Sequence, residues 1–169
     1  MKQLFFVFLF GMLVTPFAHA QYESDTESID SIIEALYASI SGDAGVERDW
    51  DRFRNLFIEG AKLTPTFQNQ AGEIGFIQWS PDEYIERAGA SLERDGFHED
   101  EIHREVDTYR YVTQVFSTYQ SKRTKDGEVF ARGINSIQLF NDGNRWWVVS
   151  VFWSSENEEY PIPETYLRN

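Results

Sequence analysis

Arg132-Gly133-Ile134-Asn135-Ser136-Ile137-Gln138-Leu139 and Arg145-Trp146-Trp147-Val148-Val149-Ser150-Val151-Phe152-Trp153 are two runs rich in β-branched and aromatic residues, separated by Asn141-Asp142-Gly143-Asn144. An Asp-Gly turn between such runs is the chemistry of an antiparallel hairpin. Upstream, Tyr109 to Lys122 is a further run of this kind, divided from Val129 to Phe140 by Lys125-Asp126-Gly127, and Phe97 to Asp107 precedes it. Four long antiparallel strands are therefore predicted over 97–107, 109–122, 129–140 and 145–154.

Toward the N-terminus the period changes. Ile29, Ile32, Ile33, Leu36 and Ile40 fall on one helical face, with Ser28 placed to cap the start and Gly42 to end it. Trp50, Phe53, Leu56 and Phe57 repeat that logic with acids in the first turn, which predicts a second short helix. Lys62 to Phe67 and Ile74 to Trp79 suit a pair of short strands. Ser80-Pro81-Asp82-Glu83 combines a cap, a proline at the first helical position and two acids, and opens a third helix from Pro81 to about Arg94 with Tyr84, Ile85, Ala88 and Leu92 as its buried edge. Helices segregated to one side of a curved antiparallel sheet define an α+β fold. After Glu156 the tail is extended and carries Pro161 and Pro163.

The chain has 169 residues, 15 Lys and Arg against 28 Asp and Glu, and no cysteine. Disulfides, thiolate metal sites and cysteine nucleophiles are thereby excluded. With 41% apolar residues the chain can bury a core, and its net charge of -13 opposes nucleic acid and anionic lipid. Residues 1–20 begin with Lys2, continue through the apolar stretch Leu4 to Phe17 and end at Ala18-His19-Ala20, the pattern of a cleaved secretory signal peptide. The apolar stretch is short for a bilayer span of about 20 residues. Removing residues 1–20 takes away Lys2 alone among the charges, leaving 14 basic against 28 acidic residues and a charge of -14. The expected organisation is a signal peptide over 1–20, a flexible leader over 21–28, one domain over 29–156 and a tail over 157–169. A periplasmic or secreted location follows, with no membrane attachment after cleavage.

The element order, and the closing hairpin 132–153 above all, resembles the nuclear transport factor 2-like superfamily with its SnoaL-like cyclases and ketosteroid isomerases. The resemblance covers about residues 29 to 154 and is similar to exported bacterial members without a defined activity. It implies a cone: three N-terminal helices packed on a curved mixed or antiparallel sheet, with dimerisation through the outer sheet face. The isomerases require a Tyr on the first helix, an Asp base near the first strand and an Asp on a late strand. Matching elements puts Ala35, Pro65 and Ser136 at those positions, with Tyr37 turned aside, so isomerase chemistry of that kind is disfavoured.

Period-two alternation divides each late strand into two faces. The face expected to look toward the helices carries Tyr111, Thr113, Val115, Ser117 and Tyr119, then Phe130, Arg132, Ile134, Ser136, Gln138 and Phe140, then Trp147, Val149, Val151 and Trp153. Isolated polar groups among large apolar ones describe a pocket. Trp147, Trp153 and Tyr84 would supply apolar walls, and Ser117, Tyr119, Arg132, Ser136 and Gln138 would orient a small, largely apolar ligand. Two alternatives stay open: a filled core, or an inverted face that brings Asn135 inward. Both faces hold aliphatic and aromatic residues, so the second must be covered by another subunit or by the tail.

Candidate chemistry is sparse. His98 and His103 sit among Glu99, Asp100, Glu101 and Glu105. They are five apart in a predicted strand, where an odd separation puts them on opposite faces, so they do not form the helical zinc-protease motif. Either His, or Asp107, would serve as a general base for a cyclase, dehydratase or isomerase acting on a carbonyl compound. Glu105 and Glu73 become candidates only if buried. Lys122-Arg123-Thr124-Lys125 reads as a solvated loop. No metal or cofactor is expected.

Overall fold

The computed structural model describes residues 21–168, and the expected signal peptide over 1–20 lies outside them. After a 3-10 turn at Glu23–Thr26 come helices α1 (Ile29–Ile40) and α2 (Trp50–Asn55), strands β1 (Phe57–Gln68) and β2 (Ile74–Phe76), helix α3 over 81–95, and strands β3 (His98–Tyr109), β4 (Val112–Lys122), β5 (Val129–Asn141) and β6 (Trp146–Ser155). The strands form one six-stranded sheet in the order β2-β1-β6-β5-β4-β3. Every neighbouring pair is antiparallel except β1 with β6, which run parallel. The fold is α+β with a curved mixed sheet.

Local chemistry explains the helix boundaries. Ser28 and Ser31 cap α1 reciprocally, and Asp49 accepts the Arg52 amide at the start of α2. Ser80 and Glu83 form the expected capping box ahead of α3, whose middle, Ile85–Gly89, loosens into a π-turn. Gly96 ends it at φ +70°, where a Cβ would lie 2.5 Å from the Arg123 carbonyl. Strand β1 begins at Phe57, earlier than the expected Lys62, because an irregularity between Phe57 and Lys62 that includes Gly60 at φ +82° lets the chain enter the sheet directly after α2.

Ile32, Ile33 and Leu36 of α1, Phe53 and Leu56 around α2, and Leu92 of α3 pack onto the concave face of the sheet, where Val115, Ile137, Leu139, Val148 and Val151 are buried. The tail runs back across the convex face. Thr118 Oγ1 donates to the Tyr166 carbonyl at 2.8 Å, Tyr166 meets Phe116 edge to face at 5.1 Å, and Ile162 is buried.

The register overturns part of the expected face assignment. Ser117 stands opposite Asn135, and Phe116 opposite Ser136, so the concave face of β5 carries Gly133, Asn135, Ile137 and Leu139. Arg132, Ser136 and Gln138 belong to the convex face. Alternation holds within β4 and β5, but their cross-strand register differs by one residue from the expected pairing of faces. Strand β6 then changes phase internally: a shift between Ser150 and Val148 leaves Val149 exposed while Val148 and Val151 are both buried.

Candidate functional site

Between α1, α3 and the concave face lies a cavity of about 230 Å³. Its apolar wall comes from Leu36 and Ile40 of α1, Phe53 of α2, Leu63 of β1, Phe97, and Val151 and Trp153 of β6. Tyr37, Tyr84, Glu99, Tyr119, Ser121 and Asn135 bring polar atoms to it. Among its lining residues Glu99 alone carries a charge.

Each polar group is placed by local structure. Tyr37 lies on the inner side of α1, next to Leu36. Its hydroxyl is 2.7 Å from Ser117 Oγ and accepts from Asn135 Nδ2 at 3.0 Å. Ser117 in turn donates to Glu101 Oε1, so Tyr37 gives its proton to Ser117 and the chain of bonds runs in one direction. Glu101 also receives the Arg104 guanidinium at 2.7 Å, and Arg104 reaches Asp30 at 2.8 Å. Glu99, on the same strand face, accepts only from Ser121 Oγ, at 2.8 Å, while Ser41 Oγ accepts its backbone amide at 3.0 Å. Tyr119 Oη is 3.1 Å from Ser155 Oγ. Gly133 faces Tyr119, and a Cβ there would lie 2.4 Å from both the Tyr119 hydroxyl and the Ser154 carbonyl. Tyr84 stacks on Phe53 with ring centroids 5.5 Å apart, and its hydroxyl has no hydrogen-bond partner among the described residues.

Burial governs the electrostatics. It pushes the Glu99 carboxyl up to about 7, the Ser121 hydrogen bond opposing the rise and the charge of Asp100 adding to it. Burial, with the charge of Glu99 adding, raises the phenols of Tyr37 and Tyr84 and takes Tyr119 up to about 12. The phenols therefore stay protonated near neutral pH, and Glu99 is poised to hold or release a proton there.

Of the residues expected to bind a ligand, Tyr84, Tyr119 and Trp153 line the cavity. Ser117 is fully buried just behind Tyr37. Arg132, Ser136, Gln138 and Trp147 are elsewhere. Arg132 pairs with Glu156 on the convex side, Ser136 lines a groove under the tail, and Gln138 stands opposite Gln114 and Ser150. Trp147 donates to Asp142 at 2.8 Å beneath the Arg145 guanidinium. The candidate bases also lie away from the cavity. His98 bonds Asp43 at 2.9 Å, His103 bonds Glu105 at 3.2 Å, and Asp107, Glu105 and Glu73 are exposed. The two histidines share a strand face after all. A bulge at Ile102 places them opposite Lys122 and Thr118, four residues apart on β4. Among the described residues no group of three or more His, Cys, Asp or Glu side chains is placed to hold a metal ion.

Sequence reasoning passed over Glu99, Tyr37 and Ser121. Glu99 is one of several acids in an acidic stretch, and only its pairing with Ser121 on an inward face singles it out. Counting positions along α1 turns Tyr37 aside, whereas burial of Tyr37 together with Ile33, Leu36 and Ile40 shows an inner face wide enough to include it.

No family model matches the chain, and no curated protein matches it. Solved structures do. They include an NTF-2 like protein of unknown function from Silicibacter pomeroyi DSS-3, with 14% identity, TM-score 0.51, and 76% of this chain and 92% of that one covered. A candidate ketosteroid isomerase from Parabacteroides distasonis ATCC 8503 shows 13% identity and a TM-score of 0.53, over 80% and 98% of the two chains. The β subunit of a candidate aromatic-ring-hydroxylating dioxygenase from Novosphingobium aromaticivorans DSM 12444 shows 14% identity and a TM-score of 0.58, over 82% and 92%. Likeness at these identities establishes the fold alone: the chain has the NTF2-like cone. Proteins sharing this cone carry names of very different kinds, so the site and not the fold must speak for function.

Proposed function

We propose that this chain is an exported, dimeric NTF2-like domain that binds a compact, largely apolar molecule in its cone. The observation that supports this reading is the cavity itself, about 230 Å³ and walled by aromatic and aliphatic side chains. Drug-sized ligands occupy pockets of about 300 to 1,000 Å³, while benzene enters an apolar cavity of about 150 Å³. A one-ring or similarly compact ligand is therefore the right size. Tyr84, Tyr119, Trp153 and Phe53 form its walls, with Tyr84 and Glu99 as the polar groups left open to it. The orienting role expected of Arg132, Ser136 and Gln138 passes to Tyr84 and Glu99, with Tyr37 and Asn135 bonded to each other at the cavity wall.

Native mass spectrometry of the protein purified from a bacterial periplasm tests the reading. A bound small molecule is expected in the wild type and is lost in Ala131→Trp, which fills the cavity rim while leaving the melting temperature near that of the wild type. A wild type that carries no molecule and takes up no compact aromatic compound in calorimetry sinks it.

The enzymatic alternative, proton transfer on a carbonyl compound, is favoured by one observation: Glu99 and the open Tyr84 hydroxyl share the cavity. In that reading Glu99 replaces His98, His103 and Asp107 as the base. Turnover that survives in the His98→Ala, His103→Ala and Asp107→Ala variants and vanishes in Glu99→Gln would support it.

A further inference from the structure

We propose that the cavity is a site for a compact organic cation, an amine or quaternary ammonium, whose charged head rests against the Glu99 carboxylate and whose hydrocarbon body lies among the surrounding rings. The proposal rests on the cavity-binding reading above and names the chemical class of the ligand.

Charge accounting on β3 carries it. Glu99 and Glu101 are two residues apart on one inward face, opposite Ser121 and Tyr119. Glu101 has its cation, Arg104 at 2.7 Å, and the Ser117 hydroxyl as well. Glu99 has a single neutral donor, Ser121, and among the described residues no basic side chain within ion-pair distance. A carboxylate withdrawn from water is costly unless it is paired. Without a ligand the carboxyl escapes that cost by holding a proton, and a partner for the ionised form enters through the cavity that Glu99 lines. A ligand cation is that partner.

The rings supply the rest. Tyr84 and Phe53 are stacked, Phe97 meets Phe130 at 6.2 Å, and Tyr37, Tyr119 and Trp153 complete the lining. Aromatic faces attract an ammonium through their quadrupoles, and do so most strongly when water is excluded. One rim ring already does this within the protein, since the Arg123 guanidinium lies 4.4 Å above Phe130. The unpartnered Tyr84 oxygen adds an acceptor for an ammonium N–H. At long range the net charge of -13 draws cations toward the molecule.

A neutral ligand makes the opposite demand. A carbonyl oxygen would need Glu99 protonated as donor, so the two classes differ in the sign of their pH dependence. The groups facing Glu99 are Tyr37 from α1, Tyr84 from α3, Tyr119 and Ser121 from β4, and Glu101 on its own strand, with Asp100 adjacent but turned to the opposite face toward Lys122, and with Arg123 at the rim. The tyrosines do not titrate between pH 5.5 and 8.5, which leaves Glu99 to set the trend within the cavity.

Calorimetric titration of the purified protein with benzyltrimethylammonium and with 2-phenylethanol, at pH 5.5 and 8.5, tests the proposal. The cation keeps its charge at both pH values. It is expected to bind at least about tenfold more tightly at pH 8.5, releasing the Glu99 proton at intermediate pH, whereas the alcohol shows no such gain. In Glu99→Gln, whose folding is checked by circular dichroism, the preference for the cation and its pH dependence both disappear. Alcohol binding without cation binding, or equal cation binding by Glu99→Gln, overturns the cation proposal and leaves the apolar-ligand reading standing. Binding of neither compound removes both.

Discussion

Two residues with no partner of opposite charge inside ion-pair distance among the described residues, the half-buried Glu99 and the buried Arg48, show how a charge withdrawn from water can be poised or locked. Glu99 keeps one hydroxyl donor and an open cavity. Because its folded pKa, about 7, lies above the usual 4.5, folding takes up a proton between those values. The stabilisation linked to Glu99 is complete below about pH 4.5 and is lost as pH rises through 7, by about 3 kcal/mol. Urea denaturation across that window should show this decline in the wild type and not in Glu99→Gln. Arg48 takes the other course. Buried by α1 and α3, its guanidinium donates to the carbonyls of Ile40, Asp43, Val46, Gly42 and Leu92, and Glu93 accepts both its backbone amide and the Trp50 indole. It staples the α1–α2 loop to α3 and, through the Gly42–Phe97 bridge, holds one wall of the cavity. Arg48→Met should lose about 3 kcal/mol in the same measurement, and Lys should recover only part of it because one ammonium cannot reach five carbonyls. Neither residue stands out in the sequence, since with 28 acids and 15 Lys and Arg the buried ones look like the solvated ones.

Within the elements, strand identity was legible and strand phase was not. The runs from residue 97 to 154 are strands because β-branched and aromatic residues fill them between Asp-Gly turns, and all four were expected close to where they lie. Their faces depend on cross-strand register and on bulges at Ile102 and near Val149, which are decided by packing between strands. On β5 period-two alternation separates Arg132, Ser136 and Gln138 from Asn135, Ile137 and Leu139 but does not say which set faces the core, and packing against the helices selects the second. Gly133 pins the correct phase. It is the residue that lets the Tyr119 ring lie against β5, and Gly133→Ala should destabilise the protein by about 1 to 3 kcal/mol and perturb Tyr119 fluorescence or its aromatic NMR signals. Unchanged stability and spectra would contradict this packing.

For the whole molecule, the convex face is the open matter of assembly. The tail covers part of it, while Val112 and Phe152 remain 58% and 47% exposed on the side that carries Phe116 and Ser136. We expect a second copy to seat there. Sedimentation velocity should return a dimer that Phe152→Glu converts to a monomer, and a monomeric wild type would remove the interface. Sequence alone determined the α+β class, the helix caps, the strand order along the chain and the absence of thiol chemistry, because capping, periodicity and composition are properties of neighbouring residues. Tertiary structure decided which side chains share the cavity. Glu99, Tyr37, Tyr84 and Asn135 come from four separate elements, and only the register and curvature that pack those elements together bring their polar atoms to one hollow.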